Sequence, residues 1–149
     1  MSNTVITISR QYGSGGRELS EILAKKLGVK LYDRQIIHMA AAMLGIGDLT
    51  DESLRELENK VLPLSSAFMP FYSFGSHAGP NVNTELFLAE SKVIHQLVND
   101  GPCVILGRCA DYILSEQENH YSFFIYADDD YRASRGKTTY AGKSLKELN

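Results

Sequence analysis

Basic residues do not outnumber acidic ones in this 149-residue chain: 15 Lys and Arg face 18 Asp and Glu, for a formal charge of −3. A nucleic-acid groove normally carries a basic balance, so that class of partner is disfavoured; a small basic pocket is still compatible. No apolar run approaches the roughly 18 residues of a membrane span, so no membrane partner is expected. The N-terminus enters strand-like sequence at once, and no signal peptide is expected. Cysteine is scarce. Cys103 and Cys109 stand too close to suggest a disulfide framework and lack partners for a zinc site. A reducing cytoplasm is the expected setting. Proline is scarce too, and three of the four, Pro63, Pro70 and Pro80, fall in one segment. What remains is 44% hydrophobic and 22% charged, an ordinary globular balance on a chain long enough for one domain with a real core.

The stretch from Val5 to Leu27 organises the rest. VITIS is an alternating β-branched run that suits a buried strand. RQYGSGGR then places Gly13, Gly15 and Gly16 within four positions. ELSEILAKKL puts Leu19, Ile22, Leu23 and Leu27 on one helical face, with Gly28 as its stop. Strand, glycine-rich turn and helix form the layout of a phosphate cradle: glycine lets backbone N–H groups approach an anion, and the helix N-terminus adds partial positive charge. The usual P-loop reads G-x-x-x-x-G-K-[ST]. With Gly15 as its second glycine, Arg10 replaces the first, Gly16 the lysine and Arg17 the hydroxyl residue. With Gly16 as its second glycine, Arg17 takes the lysine slot and Glu18 the hydroxyl slot. Neither register matches fully, and an ordinary glycine-rich strand-to-helix turn is the plainer alternative. A G-x-G-x-x-G reading is poorer, because Glu18 stands at the third glycine.

Beyond Gly28, VKLYD reads as a short buried strand ending at Asp33, which can cap a helix carrying Ile36, Ile37, Ala40, Ala41 and Leu44 at helical spacing. Gly45 and Gly47 end that helix. Residues 51–62 suit an acidic amphipathic helix. Residues 63–83 hold the three prolines with Phe68, Phe71, Tyr72 and Phe74 and show no period. A loop that long is either a substrate flap or a cover for a core edge. Asn83 is the expected cap of the next helix, whose buried face is Leu86, Val93, Ile94 and Leu97. CVILG is the next strand, YSFFIYA a fourth, and Asp128 opens a polar helical tail. A βαβ start with further strands predicts an α/β fold with a parallel sheet flanked by helices.

Ligands of such sheets bind at the carboxyl ends of the strands. Four ends would converge there, carrying Gly13 to Arg17, Asp33-Arg34, Gly107-Arg108 and Asp128 to Arg132. Guanidinium groups bind phosphate oxygens in pairs and stay charged. Phosphoryl transfer asks a protein mainly for positioning and charge neutralisation. Two phosphate-bearing substrates need two anion sites, and this layout offers them.

SRQYGSGGREL, KLYDRQII, a helix ending at a glycine-proline turn and CVILGRCADYIL, in that order, resemble the cytidylate-kinase-like family of P-loop nucleoside monophosphate kinases. The resemblance runs from Thr4 to about Arg132. It implies a three-layer P-loop fold forming a single kinase domain over 1–149. Within it, 45–83 would be a helical and flap insertion on the monophosphate side and 128–149 the start of an incomplete lid. It also implies a cytoplasmic ATP-dependent kinase using Mg2+, with CMP or a related nucleoside monophosphate as acceptor. The family's phosphate loop falls on Gly13, Ser14, Gly15, Gly16 and Arg17. Gly16 stands where well-studied cytidylate kinases carry lysine, and Arg17 is the nearest cation. Ser14 is placed at the metal by proximity. The strand-end aspartate of the monophosphate site falls on Asp33. Met39 stands at the acceptor-site arginine, for which Arg34 and His38, four apart, could substitute. Gly107 and Arg108 match a glycine-arginine pair, which makes Arg108 the expected acceptor-phosphate ligand. Cys109 replaces the next aspartate, and Asp111 lies two further on. Arg132 falls where lid arginines begin, and the family's last strand and the rest of its lid are expected to be missing. A nucleotide-binding regulatory module without catalysis, or a P-loop kinase of a non-nucleotide small molecule, are the alternatives. Oligomeric state is open.

Overall fold

The computed structural model describes residues 4–45 and 82–139. The amphipathic helix expected over 51–62 and the irregular stretch from 63 to 81 lie outside the described residues. The chain divides into two compact units, one made of Met1–Arg34 with Ile94–Asn149 and the other of Gln35–Val93.

The first unit is an α/β sandwich. Strand β1 (Val5–Arg10) leads through the glycine turn into α1 (Gly16–Leu27), and β2 follows at Lys30–Tyr32. Later come β3 (Cys103–Leu106) and β4 (His120–Ile125). Among the described residues these four make one parallel sheet in the order β2-β3-β1-β4. Ile8 stands opposite Leu106, Arg10 opposite Ile125 and Tyr32 opposite Ile105, so all strands deliver their carboxyl ends to one edge. That matches the parallel sheet expected from sequence.

Every residue of β3 is buried, as suits a central parallel strand covered on both faces. Ile8, Ala24, Val104 and Leu106 form the core, with Ile6, Leu23, Val29, Leu31 and Ile125 packed against it. The α1 face differs from expectation. Gly16, Ser20 and Ala24 are its buried residues, whereas Leu19, Ile22 and Leu27 are exposed. A stripe of small residues lets the helix backbone come close to the sheet, and the larger side chains are left on its flank. Gly28 ends α1 in a left-handed conformation, and Val29 N–H bonds Ala24 O at 3.0 Å, closing a Schellman-type stop.

β2 is half-buried rather than buried. β4 starts one residue before the expected Tyr121 and ends at Ile125, and its Tyr121, Phe123 and Phe124 are exposed. Thr7, itself buried, has Oγ1 2.7 Å from His120 Nε2 and so ties β1 to β4 by side chains as well as by backbone.

In the second unit α2 (Gln35–Met43) buries Ile36, Ile37, Ala40 and Ala41, the expected face without Leu44. Helix α3 (Val82–Asp100) gives its residues through Val93 to this unit and the remainder to the first. It buries Leu86, Val93, Ile94 and Leu97 as the spacing predicts. The helix already includes Asn83, so Asn83 is not the residue that precedes it. No helix among the described residues is long and apolar enough to cross a membrane.

Candidate active site

The turn between β1 and α1 is held by its own backbone. Ser14 N–H and Ser14 Oγ both donate to Gln11 O, at 3.2 and 2.8 Å. Gln11 N–H reaches Ile125 O at 2.9 Å, and Gln11 Oε1 accepts from Ala127 N–H at 3.3 Å, so the turn is pinned to the end of β4. Gly13 and Gly15 have φ of 76° and 83°, values that L side chains rarely adopt. Gly15 is the N-cap of α1 and supplies no side-chain cap. The first amides of a helix have no intrahelical acceptor, and those of α1 start at a glycine without a side-chain cap, with the Arg135 guanidinium 3.8 Å from where a Cβ on Gly15 would stand.

Two other pieces of chain crowd this turn. The first is α5 (Asp129–Thr139), which follows β4, with the short α4 (Ala110–Ile113) lying earlier in the chain. Arg132 donates from Nε to Tyr12 O at 2.8 Å and pairs through Nη1 with Asp129 at 3.0 Å. A Cβ placed on Gly13 would stand 2.6 Å from Arg132 O, so α5 backbone lies directly on the loop. Arg135 pairs with Glu18 in the first turn of α1, and its guanidinium sits 5.8 Å over the Tyr131 ring. That pairing balances the negative charge of Glu18 at the start of α1.

The second piece is the Arg10 side chain. A Cβ on Gly16 would stand 2.7 Å from Arg10 Cβ and 3.3 Å from its Cγ and Cδ. A Cβ on Gly107 would stand 2.7 Å from Arg10 Nη1. Arg10 therefore runs from the start of α1 to the end of β3.

At that end Gly107, Arg108 and Cys109 take φ of 72°, 59° and 51° in succession. Gly107 N–H bonds Ile8 O at 2.9 Å, which fixes the turn to β1. Arg108 is half-buried there, and Asp111 is half-buried in the first turn of α4.

Arg17 is exposed and lies 3.3 Å from Glu21 and 3.9 Å from Asp33, whose side chain is largely covered. An expected ligand of the phosphate loop is thus joined to an expected ligand of the acceptor. Arg34 is exposed beside Asp33, and His38 is exposed on the second unit. In the first unit the structure brings Gly13 to Arg17, Asp33, Gly107 and Arg132 into one neighbourhood of contacts. Arg10, Tyr12, Glu18 and Arg135 belong to it as well and were not among the expected site residues. The exchange of Arg10 and Gly16 against the usual glycine and lysine was the signal for the first of them. No group of three His, Cys, Asp or Glu side chains among the described residues could hold a metal ion by itself. A separate hollow of about 250 Å³ opens beside Gly28, Lys30, Tyr32, Leu97, Asp100 and Cys103, along β2 and around the amino end of β3.

A parallel sheet in this order, with a glycine turn feeding a helix from its inner strand, is an α/β fold consistent with the P-loop kinases. The chain belongs to the cytidylate kinase-like family, whose model matches residues 5–147. It is similar to the crystal structure of an uncharacterized protein from Eubacterium ventriosum ATCC 27560, with a TM-score of 0.60 at 22% identity, over 98% of this chain and 67% of that one. That likeness supports the fold alone. No curated protein matches the chain.

Proposed function

We propose that this chain is a nucleoside monophosphate kinase that transfers the γ-phosphoryl group of ATP to CMP or a related monophosphate. The observation that carries the reading is the start of α1. A left-handed Gly15 opens the helix without a side-chain cap, and the Arg10 side chain runs from beside Gly16 to Gly107, the residue before Arg108. Family membership supports a kinase-like, nucleotide-related role.

The residues present fit the cofactors. ATP would supply the transferable group, and Mg2+ would neutralise charge on it. Mg2+ usually keeps several waters and takes few protein ligands beside substrate phosphates. A site without three clustered carboxylates therefore suits it, with Ser14 Oγ as the hydroxyl at the loop. Backbone N–H groups of Gly15, Gly16 and Arg17 would hold the donor phosphates, with the helix dipole adding to their pull. Arg108 would hold the acceptor phosphate, its guanidinium offering paired donors. Asp33, Arg34 and Asp111, all on the first unit, are the proposed acceptor-side contacts, and Arg132 holds α5 over the loop. Positioning and charge neutralisation are the work such a site does. A cytoplasmic setting is part of the same proposal.

Gly16 in the lysine slot and Met39 in the acceptor-arginine slot favour a second reading, a nucleotide-binding module without turnover. A coupled ADP assay with CMP, dCMP, UMP and AMP separates the two. The kinase reading expects ADP formation that depends on one or more of these acceptors. ATP binding without turnover across the panel contradicts it and favours the regulatory module. Turnover with only a non-nucleotide acceptor would point to a small-molecule kinase.

A further inference from the structure

The phosphate loop of this chain lacks the lysine that P-loops place after their second glycine to reach the β- and γ-phosphates. We infer that Arg10 supplies the missing cation, reaching the phosphates from the end of β1 instead of from the start of α1. The inference rests on the kinase reading of the same site and deepens it.

The geometry is reciprocal. Gly16 stands in the lysine slot, and a Cβ there would stand 2.7 Å from Arg10 Cβ. No contact that short occurs between real side chains, so a lysine at 16 and an arginine stem at 10 exclude each other. Gly16 is not a left-handed residue. Its glycine answers a need for space, and the space is filled by the Arg10 stem. Conversely, the usual loop has glycine at position 10 and lysine at position 16. This chain exchanges the two, and a cation remains at the start of α1.

The far end of the side chain sets the role. Arg10 Nη1 lies against Gly107, again at 2.7 Å from where a Cβ would be, and Gly107 directly precedes Arg108. Ile8 pairs with Leu106 on the neighbouring strand, and adjacent strands lie about 4.8 Å apart. An arginine stem spans that gap. The guanidinium thus lies between the α1 N-terminus, the proposed donor site, and the Arg108 turn, the proposed acceptor site. Arg10 is also exposed, so a ligand can reach it. A phosphoryl group in transit between the two sites would meet this guanidinium. Gly107 is the second residue the arrangement requires to be glycine, since any side chain there would displace Nη1.

Arg10→Met keeps the stem over Gly16 and removes the charge, and Arg10→Lys restores a charge. Inorganic tripolyphosphate is the probe, titrated calorimetrically, with ADP formation and melting temperature read in parallel. The expected result for Arg10→Met is a melting temperature close to that of the wild type, tripolyphosphate affinity down about 10- to 100-fold, and turnover down at least as much. Arg10→Lys should recover part of both. The exchange Arg10→Gly with Gly16→Lys should bind tripolyphosphate better than Arg10→Gly alone. Unchanged affinity in Arg10→Met overturns the inference. So does failure of the exchanged pair to improve on Arg10→Gly, or failure of the wild type to bind tripolyphosphate. Wild-type binding that depends on Arg10 but comes with no turnover on any acceptor overturns the kinase reading and leaves the role of Arg10 in phosphate binding supported.

Discussion

The two turns at the carboxyl ends of β1 and β3 solve different problems with the same backbone conformation. After β1, left-handed φ values occur only at glycine, Gly13 and Gly15. Neighbouring groups press against this turn, with Arg132 O and Arg10 Cβ standing 2.6 and 2.7 Å from where side chains of Gly13 and Gly16 would begin. After β3, the left-handed run continues through Arg108 and Cys109, which carry side chains. Holding an L residue there costs about 1–2 kcal/mol. The first turn thus uses glycine for closeness, so that backbone amides, Arg10 and α5 converge. The second accepts strain at two residues that carry side chains, Arg108 and Cys109. Strain of this kind concentrates at functional sites, which supports the proposal of Arg108 as the acceptor-phosphate ligand.

Substitution should break the first turn harder than the second. Gly13→Ala meets a backbone carbonyl as well as an unfavourable φ, and we expect a loss of about 2–4 kcal/mol in chemical denaturation. Gly15→Ala meets only the Arg135 side chain at 3.8 Å and should lose about 1–2 kcal/mol. Equal losses would show that closeness is not what sets Gly13 apart.

The two cysteines bracket β3 and extend the contrast. Cys103, 2% exposed, begins the strand, and burial pushes its thiol up to about 11. Unfolded, this thiol ionises near its ordinary value. Between that value and about pH 11 the unfolded chain therefore holds fewer protons than the folded one. Stability from this group is complete below the ordinary thiol range and is lost as pH rises through the folded value. The expected loss is about 2 kcal/mol, measured by urea denaturation from pH 8 to pH 11, and Cys103→Ala should flatten it. Cys109, half-buried in the strained turn, should react first with a thiol reagent at pH 8. Faster reaction at Cys103 would contradict the burial argument.

The smallest effect is a gain. Cys109→Gly relieves a left-handed side chain and should stabilise the fold by about 0.5–1 kcal/mol, the strain relief being partly offset by the greater unfolded-state entropy of glycine. A loss would mean that the thiol makes a contact worth more than the strain it causes.

Elements with a clear period were legible in the sequence. β1, the stop at Gly28, the buried positions of α2 and those of α3 all follow from apolar spacing and one glycine. Spacing says which residues share a face and leaves open which face meets the sheet. That is why Leu19, Ile22 and Leu27 proved exposed while Gly16, Ser20 and Ala24 lie inward. An apolar run such as YSFFIYA marks a strand without saying whether neighbours cover it. Arg10 was visible only as a departure from a motif, because the path of a side chain from one strand end to the next is set by tertiary packing. The pairing of Arg17 with Asp33 was hidden for the same reason.

The most direct measurement is the amide chemical-shift response to ATP with Mg2+ in an isotope-labelled sample. The account predicts the largest changes at Gly15, Gly16 and Arg17, with Gly107 to Cys109 responding when CMP is added. Changes centred instead on Gly28 to Lys30 and Asp100 to Cys103, around the separate hollow, or no change anywhere, would contradict it.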